Sequence, residues 1–231
     1  MSSFFHNMFE EGWATALSKH FNEEKFKLIG KKIALERKRV TIYPESELVF
    51  RAFKETPYND VKCVILSQDP YHDSSADGLA FSNSRNTLHT SPSLRVILDE
   101  IARDYPESVS DISNGRLDPL DLSRWARQGV LLVNTSFTVE KSKPGSHSIY
   151  WTGFTKAVIK ALNDRNDIVW LLMGVEARRY SPLITNTTHA IVETVHPAAG
   201  LYSAHNNFIG SGAFKKVNEA LEALNKSQVL W

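Results

Sequence analysis

The chain has 231 residues, 42% hydrophobic, 10% aromatic and 23% charged, with 27 Lys and Arg against 26 Asp and Glu. Balanced charge and ordinary apolar content exclude disorder as the main state and allow one sizeable buried core. A single cysteine, Cys63, excludes an internal disulfide framework and a thiolate-cluster metal site, and fits a reducing compartment. The net charge of +1 leans weakly against a protein that coats nucleic acid through bulk positive charge. The start lacks the basic-then-apolar pattern of a signal peptide. The longest apolar run, Ile168 to Val175, is far short of the ~20 residues of a membrane helix, so no membrane partner is expected.

The chain opens with a helical part over about 1–56, where Phe9 to His20 and Glu23 to Arg39 carry apolar residues at helical spacing. Four short apolar runs follow: Val61 to Leu66, Gly129 to Asn134, Asp167 to Met173 and Ala190 to Val195. They are continuous rather than alternating, as strands covered on both faces are. Helical patterns at Ser93 to Asp104, Trp151 to Asn163 and Ser211 to Asn225 lie between and after them. Strand alternating with helix implies right-handed crossovers and a parallel sheet. No repeat or linker divides the chain. The expectation is a single α/β domain over 1–231, with a central four-stranded, mainly parallel sheet flanked by helices.

In such sheets the ligand crevice lies beyond the carboxyl ends of the strands. The first run is followed by Ser67-Gln68-Asp69-Pro70-Tyr71-His72, the second ends at Asn134, the third at Gly174 and the fourth at His196. The sequence contains no G-x-G-x-x-G, no phosphate-binding G-x-x-x-x-G-K-[ST] and no G-x-S-x-G elbow, so no nucleotide cofactor or hydrolase triad is expected. Metal hydrolysis is disfavoured too: Asp69 and His72 sit on one turn, Asp73 and Asp77 read as exposed, and no second histidine is suitably spaced. A cofactor-free chemistry suits the residues better. A strand-end carboxylate can orient water and stabilise a cationic centre, and a strand-end histidine can stabilise a departing anion. An asparagine reads the edge of an amide-like ring, and Tyr71 and Phe81 offer flat faces to a base. Together they describe hydrolysis of an N-glycosidic bond on a base flipped out of its stack.

These residues carry a resemblance. Ser67 to His72 resembles the G-Q-D-P-Y-H signature of family 1 uracil-DNA glycosylases, and Gly78-Leu79-Ala80-Phe81-Ser82 their G-L-A-F-S segment. Trp125 to Thr135, WARQGVLLVNT, is similar to their W-A-R-Q-G-V-L-L-L-N-T. His196-Pro197 with Ser203-Ala204-His205 resembles H-P-S-P-L-S-A-H. The resemblance implies a DNA repair enzyme that hydrolyses uracil from DNA without metal or cofactor. It implies that Asp69 orients the water and stabilises the cationic sugar, that His196, neutral, bonds uracil O2, and that the Gln68 backbone also donates to O2. Tyr71 would exclude the thymine methyl at C5, Phe81 would stack on the ring, Asn134 would read N3–H and O4, and His72 would support the water network. Uracil-containing DNA, single- or double-stranded, is the implied partner of a monomeric enzyme, and a proteinaceous inhibitor is a further partner to expect.

Backbone contacts implied by the resemblance fall on Ser93, Gly174, Ala198 and Ser203, with departures. Ser91 stands where a proline is usual, Val175 replaces a serine, Ser67 replaces the first glycine of the signature, and Ala198 stands where a serine follows His-Pro. The His196 to Ser203 loop is two residues longer than the family's, which leaves Leu201 and Tyr202 as candidates for the wedge that holds the base out; Leu201 is preferred. The uncharged, turn-rich stretch Thr194 to Phe214 is expected to face the DNA. A non-catalytic DNA-binding module on the same scaffold is the competing reading, and a thymine-tolerant glycosylase is disfavoured by Tyr71 and Asn134. A bacterial cytoplasm is the expected location, with a nucleus or a virus-infected cell as alternatives.

Overall fold

The computed structural model describes residues 4–83, 90–108, 118–201 and 208–231. The chain begins with α1 (Phe4–Met8), α2 (Glu11–His20) and α3 (Glu23–Glu36). The predicted helix from Phe9 starts late because Glu10 interrupts it: its carboxylate caps α2 by accepting from the Gly12 and Trp13 amides at 2.8 and 2.9 Å. Asn22 likewise caps α3 through the Lys25 amide at 3.0 Å. After a short strand β1 (Ile42–Tyr43) and helix α4 (Arg51–Glu55) comes the first core strand, β2 (Cys63–Ser67). The remaining elements are α5 (Pro92–Asp104), α6 (Ser123–Ala126), β3 (Val130–Asn134), β4 (Val139–Glu140), α7 (Ser148–Asn163), β5 (Val169–Met173), α8 (Val175–Arg178), β6 (Ala190–Thr194) and α9 (Ala213–Ala223).

The four predicted strands form one sheet in the order β3-β2-β5-β6, with every pairing parallel. Every residue of β2, β3 and β5 is buried, as their continuous apolar runs require. β6 departs from that expectation. It is the edge strand, its residues alternate between half-buried and exposed, and Glu193 points outward. β1 and β4 form a small antiparallel ribbon, too short to be read from periodicity.

Helices α2 and α3 pack against α7, while α9 covers β5 and β6. The N-terminal helices bring an aromatic cluster to the core: Phe5, Phe9, Phe26 and Phe53 pack around Phe154 and Trp151, with tilted and edge-to-face rings. This anchors α7, whose N-terminal turn stands beside the ends of the strands.

Strand order decides where a ligand fits. The chain leaves β2 toward β3 on one side, then crosses to β5 and β6 on the other. The connections diverge between β2 and β5, and there the crevice opens beyond their carboxyl ends.

Candidate active site

Asp69 emerges from β2 at that crevice. Its Oδ2 accepts from the Gly145 amide at 2.8 Å and from Gln68 Nε2 at 3.0 Å. Its Oδ1 is buried with no hydrogen-bond partner. One oxygen therefore fixes the carboxylate while the other is kept for something else. Burial pushes Asp69 above the usual carboxylate range, against the two hydrogen bonds and the nearby His72, which pull it down.

Gln68 is held through its carbonyl, which accepts from the Ser136 amide at 3.0 Å and Thr135 Oγ1 at 2.9 Å. These bonds lock the end of β2 to the end of β3, where Ser67 pairs with Asn134. Asn134 is buried, and its Oδ1 also lacks a partner. A buried amide oxygen without a donor costs free energy comparable to a lost hydrogen bond, about 1–3 kcal/mol, unless a ligand supplies the donor. Both unpartnered oxygens belong to residues that the sequence singled out.

Phe81 is held with φ of +65°, a conformation rare and costly for a bulky side chain. Its neighbours enforce it. The Ala80 amide donates to Leu132 O at 3.1 Å, Ser82 Oγ donates to Asp77 Oδ2 at 2.6 Å, and Tyr71 Oη donates to Phe81 O at 3.0 Å. Gly78, at φ of +91°, passes so close to the Leu48 carbonyl that a Cβ would collide with it. Asp77, read from sequence as exposed, is buried: its carboxylate accepts from Leu79 N and lies 3.0 Å from Arg51 Nη1. The sequence gave no sign of this because Arg51 lies 26 residues upstream on α4. Asp73 is exposed, as expected.

The Phe81 ring reaches across to His196, with centroids 5.7 Å apart and planes tilted by 45°. His196 follows β6. The Ala198 amide donates to its Nδ1 at 3.1 Å, so the neutral ring carries its proton on Nε2. Burial lowers the His196 pKa, which favours that neutral form. Gly174, at the end of β5 with φ of +91°, underlies this ring: a Cβ there would stand 3.0 Å from His196 Cβ.

Asp69, Tyr71, Phe81, Asn134 and His196 are thus brought to one crevice from three strand ends and the segment that follows β2. His72 is exposed at its edge, and its carbonyl accepts from Ser142 N at 3.0 Å. Ser93 lies buried in the first turn of α5, and Ala198 sits half-buried in the 3-10 turn Pro197–Leu201 that packs against α5. Leu201 closes that turn; its side chain, with Tyr202 and Ser203, lies outside the described residues, so the wedge and much of the stretch expected to face DNA do too. At the near end of that stretch, Phe208 and Phe214 are fully buried core residues, a correction to the expectation that all of it faces outward.

Two contributors were missed in the sequence. Gly145 was hidden in Lys143-Pro144-Gly145-Ser146, whose turn signal gives no hint that the amide faces Asp69. Arg51 looked like an ordinary helix charge. Among the described residues no group of three or more His, Cys, Asp and Glu could hold a metal ion, and no helix is long and apolar enough to cross a membrane.

Comparison with known proteins bears on this crevice directly. The model of the uracil DNA glycosylase superfamily matches residues 53–222, which include every residue of the crevice. A uracil-DNA glycosylase of Borreliella burgdorferi is 43% identical over 223 residues, covering 94% of this chain and 96% of its own. One from Coxiella burnetii is 42% identical, covering 95% and 93%. Among solved structures, the mimivirus uracil-DNA glycosylase superposes with a TM-score of 0.83 at 24% identity, over 99% of this chain and 89% of that one. A variant of that protein in complex with UGI gives 0.81 at 25% identity, over 96% and 88%. With a matched model over most of its length and relatives above 40% identity, the chain belongs to the uracil-DNA glycosylase superfamily.

Proposed function

We propose that the crevice takes a uracil flipped out of DNA and hydrolyses its N-glycosidic bond, leaving an abasic site and starting base excision repair. The observation that carries this reading is the pair of buried, unpartnered oxygens, Asp69 Oδ1 and Asn134 Oδ1, facing one site that also holds a neutral histidine. Asn134 Oδ1 accepts from uracil N3–H, and its amide donates to O4. Cytosine offers the reverse pattern and is rejected. Phe81 stacks on the ring. As the bond breaks, negative charge gathers on uracil O2, where the Nε2–H of His196 and the Gln68 backbone donate to it. Asp69, ionised, orients water through its free oxygen and stabilises the positive sugar. Its bonds from Gly145 and Gln68 keep that oxygen aimed without using it. The Tyr71 ring occupies the C5 side and excludes a methyl group. His72 supports the water network at the edge.

The same reading assigns DNA backbone contacts to Ser93, Gly174, Ala198 and Ser203, and the wedge to Leu201 or Tyr202. A single chain supplies all the pocket residues, which supports action as a monomer of family 1 type. Binding of a proteinaceous inhibitor is supported by the mimivirus relative's complex with UGI. Residence in a reducing compartment, the bacterial cytoplasm, is supported by the single buried thiol of Cys63.

The test is release of uracil from a uracil-containing oligonucleotide in the presence of chelator. Wild type is expected to be fully active. Asp69→Asn and Asn134→Ala are expected to lose about 10²- to 10⁴-fold in kcat, the usual worth of a positioned acid–base or reading group. Full activity of either variant, or loss of wild-type activity in chelator, overturns the assignment. Binding of DNA without any uracil release supports the non-catalytic module instead.

A further inference from the structure

The Tyr71 hydroxyl is the meeting point of three elements. It donates to the carbonyl of the strained Phe81 at 3.0 Å. Its oxygen also takes a hydrogen bond from the Leu94 amide and one shared with the Ser91 hydroxyl. Leu94 is in the first turn of α5, where backbone amides have no partner within the helix. Ser91 occupies the cap position of α5, yet its side chain makes no capping bond there. Instead Ser91 Oγ donates to Asn83 Oδ1 at 2.7 Å, a buried contact with the segment just after Phe81. The helix start is thus capped by a phenol more than 20 residues away, and a side chain that ordinarily serves the helix serves the phenol.

We infer that Ser91 is a positioning residue for base selection: it holds the Tyr71 ring, through its hydroxyl, at the depth that closes the C5 side of the pocket. A tyrosine ring turns about two side-chain torsions, so excluding one methyl group requires its far end to be fixed. Here that end is fixed on Phe81, the stacking residue, and on α5. Ser91 touches neither base nor water in the reaction. The inference rests on the reading of the crevice as a uracil pocket.

The experiment compares Ser91→Ala, Tyr71→Phe and Tyr71→Ala with wild type. The readouts are kcat/KM on a uracil oligonucleotide and inhibition by free uracil, 5-fluorouracil and 5-bromouracil. Ser91→Ala is expected to keep uracil kcat within about twofold. Its preference for uracil over 5-bromouracil should fall by roughly three- to tenfold, the worth of one neutral hydrogen bond. Tyr71→Phe, which loses all three bonds but keeps the ring, should lose more selectivity than Ser91→Ala. If selectivity is unchanged in both while Tyr71→Ala admits 5-bromouracil, Ser91 has no positioning role and the pocket reading stands. If Tyr71→Ala also keeps wild-type selectivity, the assignment of Tyr71 to the C5 side fails, and this inference with it.

Discussion

Replacing Gly174 by alanine tests whether the end of β5 supports the histidine. Gly174 has φ of +91°, and a Cβ built there stands 3.0 Å from His196 Cβ. That neighbour is the root of a side chain and cannot swing aside. Alanine at such a φ costs about 1–2 kcal/mol through the clash of its Cβ with the backbone. Relief by rotating φ would sacrifice the Gly174 amide bond to Thr194 O, 3.0 Å long and worth about 1 kcal/mol. The alternative relief moves the end of β6 and carries His196 with it. The expected cost is about 2–3 kcal/mol, which for a chain of this length lowers Tm by roughly 4–12 °C. A shift of His196 approaching 1 Å lowers kcat by about 10²-fold. Thermal unfolding followed by tryptophan fluorescence and steady-state release of uracil measure the two effects. A Gly174→Ala enzyme with unchanged Tm and unchanged kcat would refute the claim that this glycine is required beneath the imidazole.

The pH profile is expected to have one acid limb. Asp69 acts ionised, and burial raises its pKa, so kcat falls with falling pH beginning above the ~3.9 of an ordinary aspartate. His196 is shifted downward and stays neutral at pH 7, so kcat should not rise on acidification from pH 7 to 5; a rise there would make the imidazolium the catalyst. Arg51→Met strips the buried Asp77 carboxylate of its cation, at a cost of about 3 kcal/mol read from the urea midpoint. An unchanged midpoint would show that Ser82 and Leu79 satisfy Asp77 without it. Tyr71→Ala should release thymine from a thymine-containing oligonucleotide, and undetectable release would locate methyl exclusion elsewhere.

The uncharged balance of the whole chain pointed away from nucleic acid, and that inference ran the wrong way. An enzyme that scans DNA and leaves it is served by weak, salt-sensitive phosphate contact, whereas recognition resides in a few uncharged groups. Net charge describes how hard a partner is gripped. It carries no information on Asn134 or Phe81.

Sequence by itself determined the four strands, their burial and the residues at their ends. Continuous apolar runs can be satisfied only inside a covered sheet, and the chemistry of Asp69, Asn134 and His196 is local to short motifs. Tertiary structure alone decided how those residues are held. The Gly145 amide on Asp69, the Arg51 partner of Asp77, the positive φ of Phe81 and the phenol that caps α5 all join positions distant in the chain. Such contacts leave no periodicity or spacing to read, because they are fixed by where the sheet order brings the strand ends together. The motifs name the groups that react, and the fold decides which of their atoms remain free to do so.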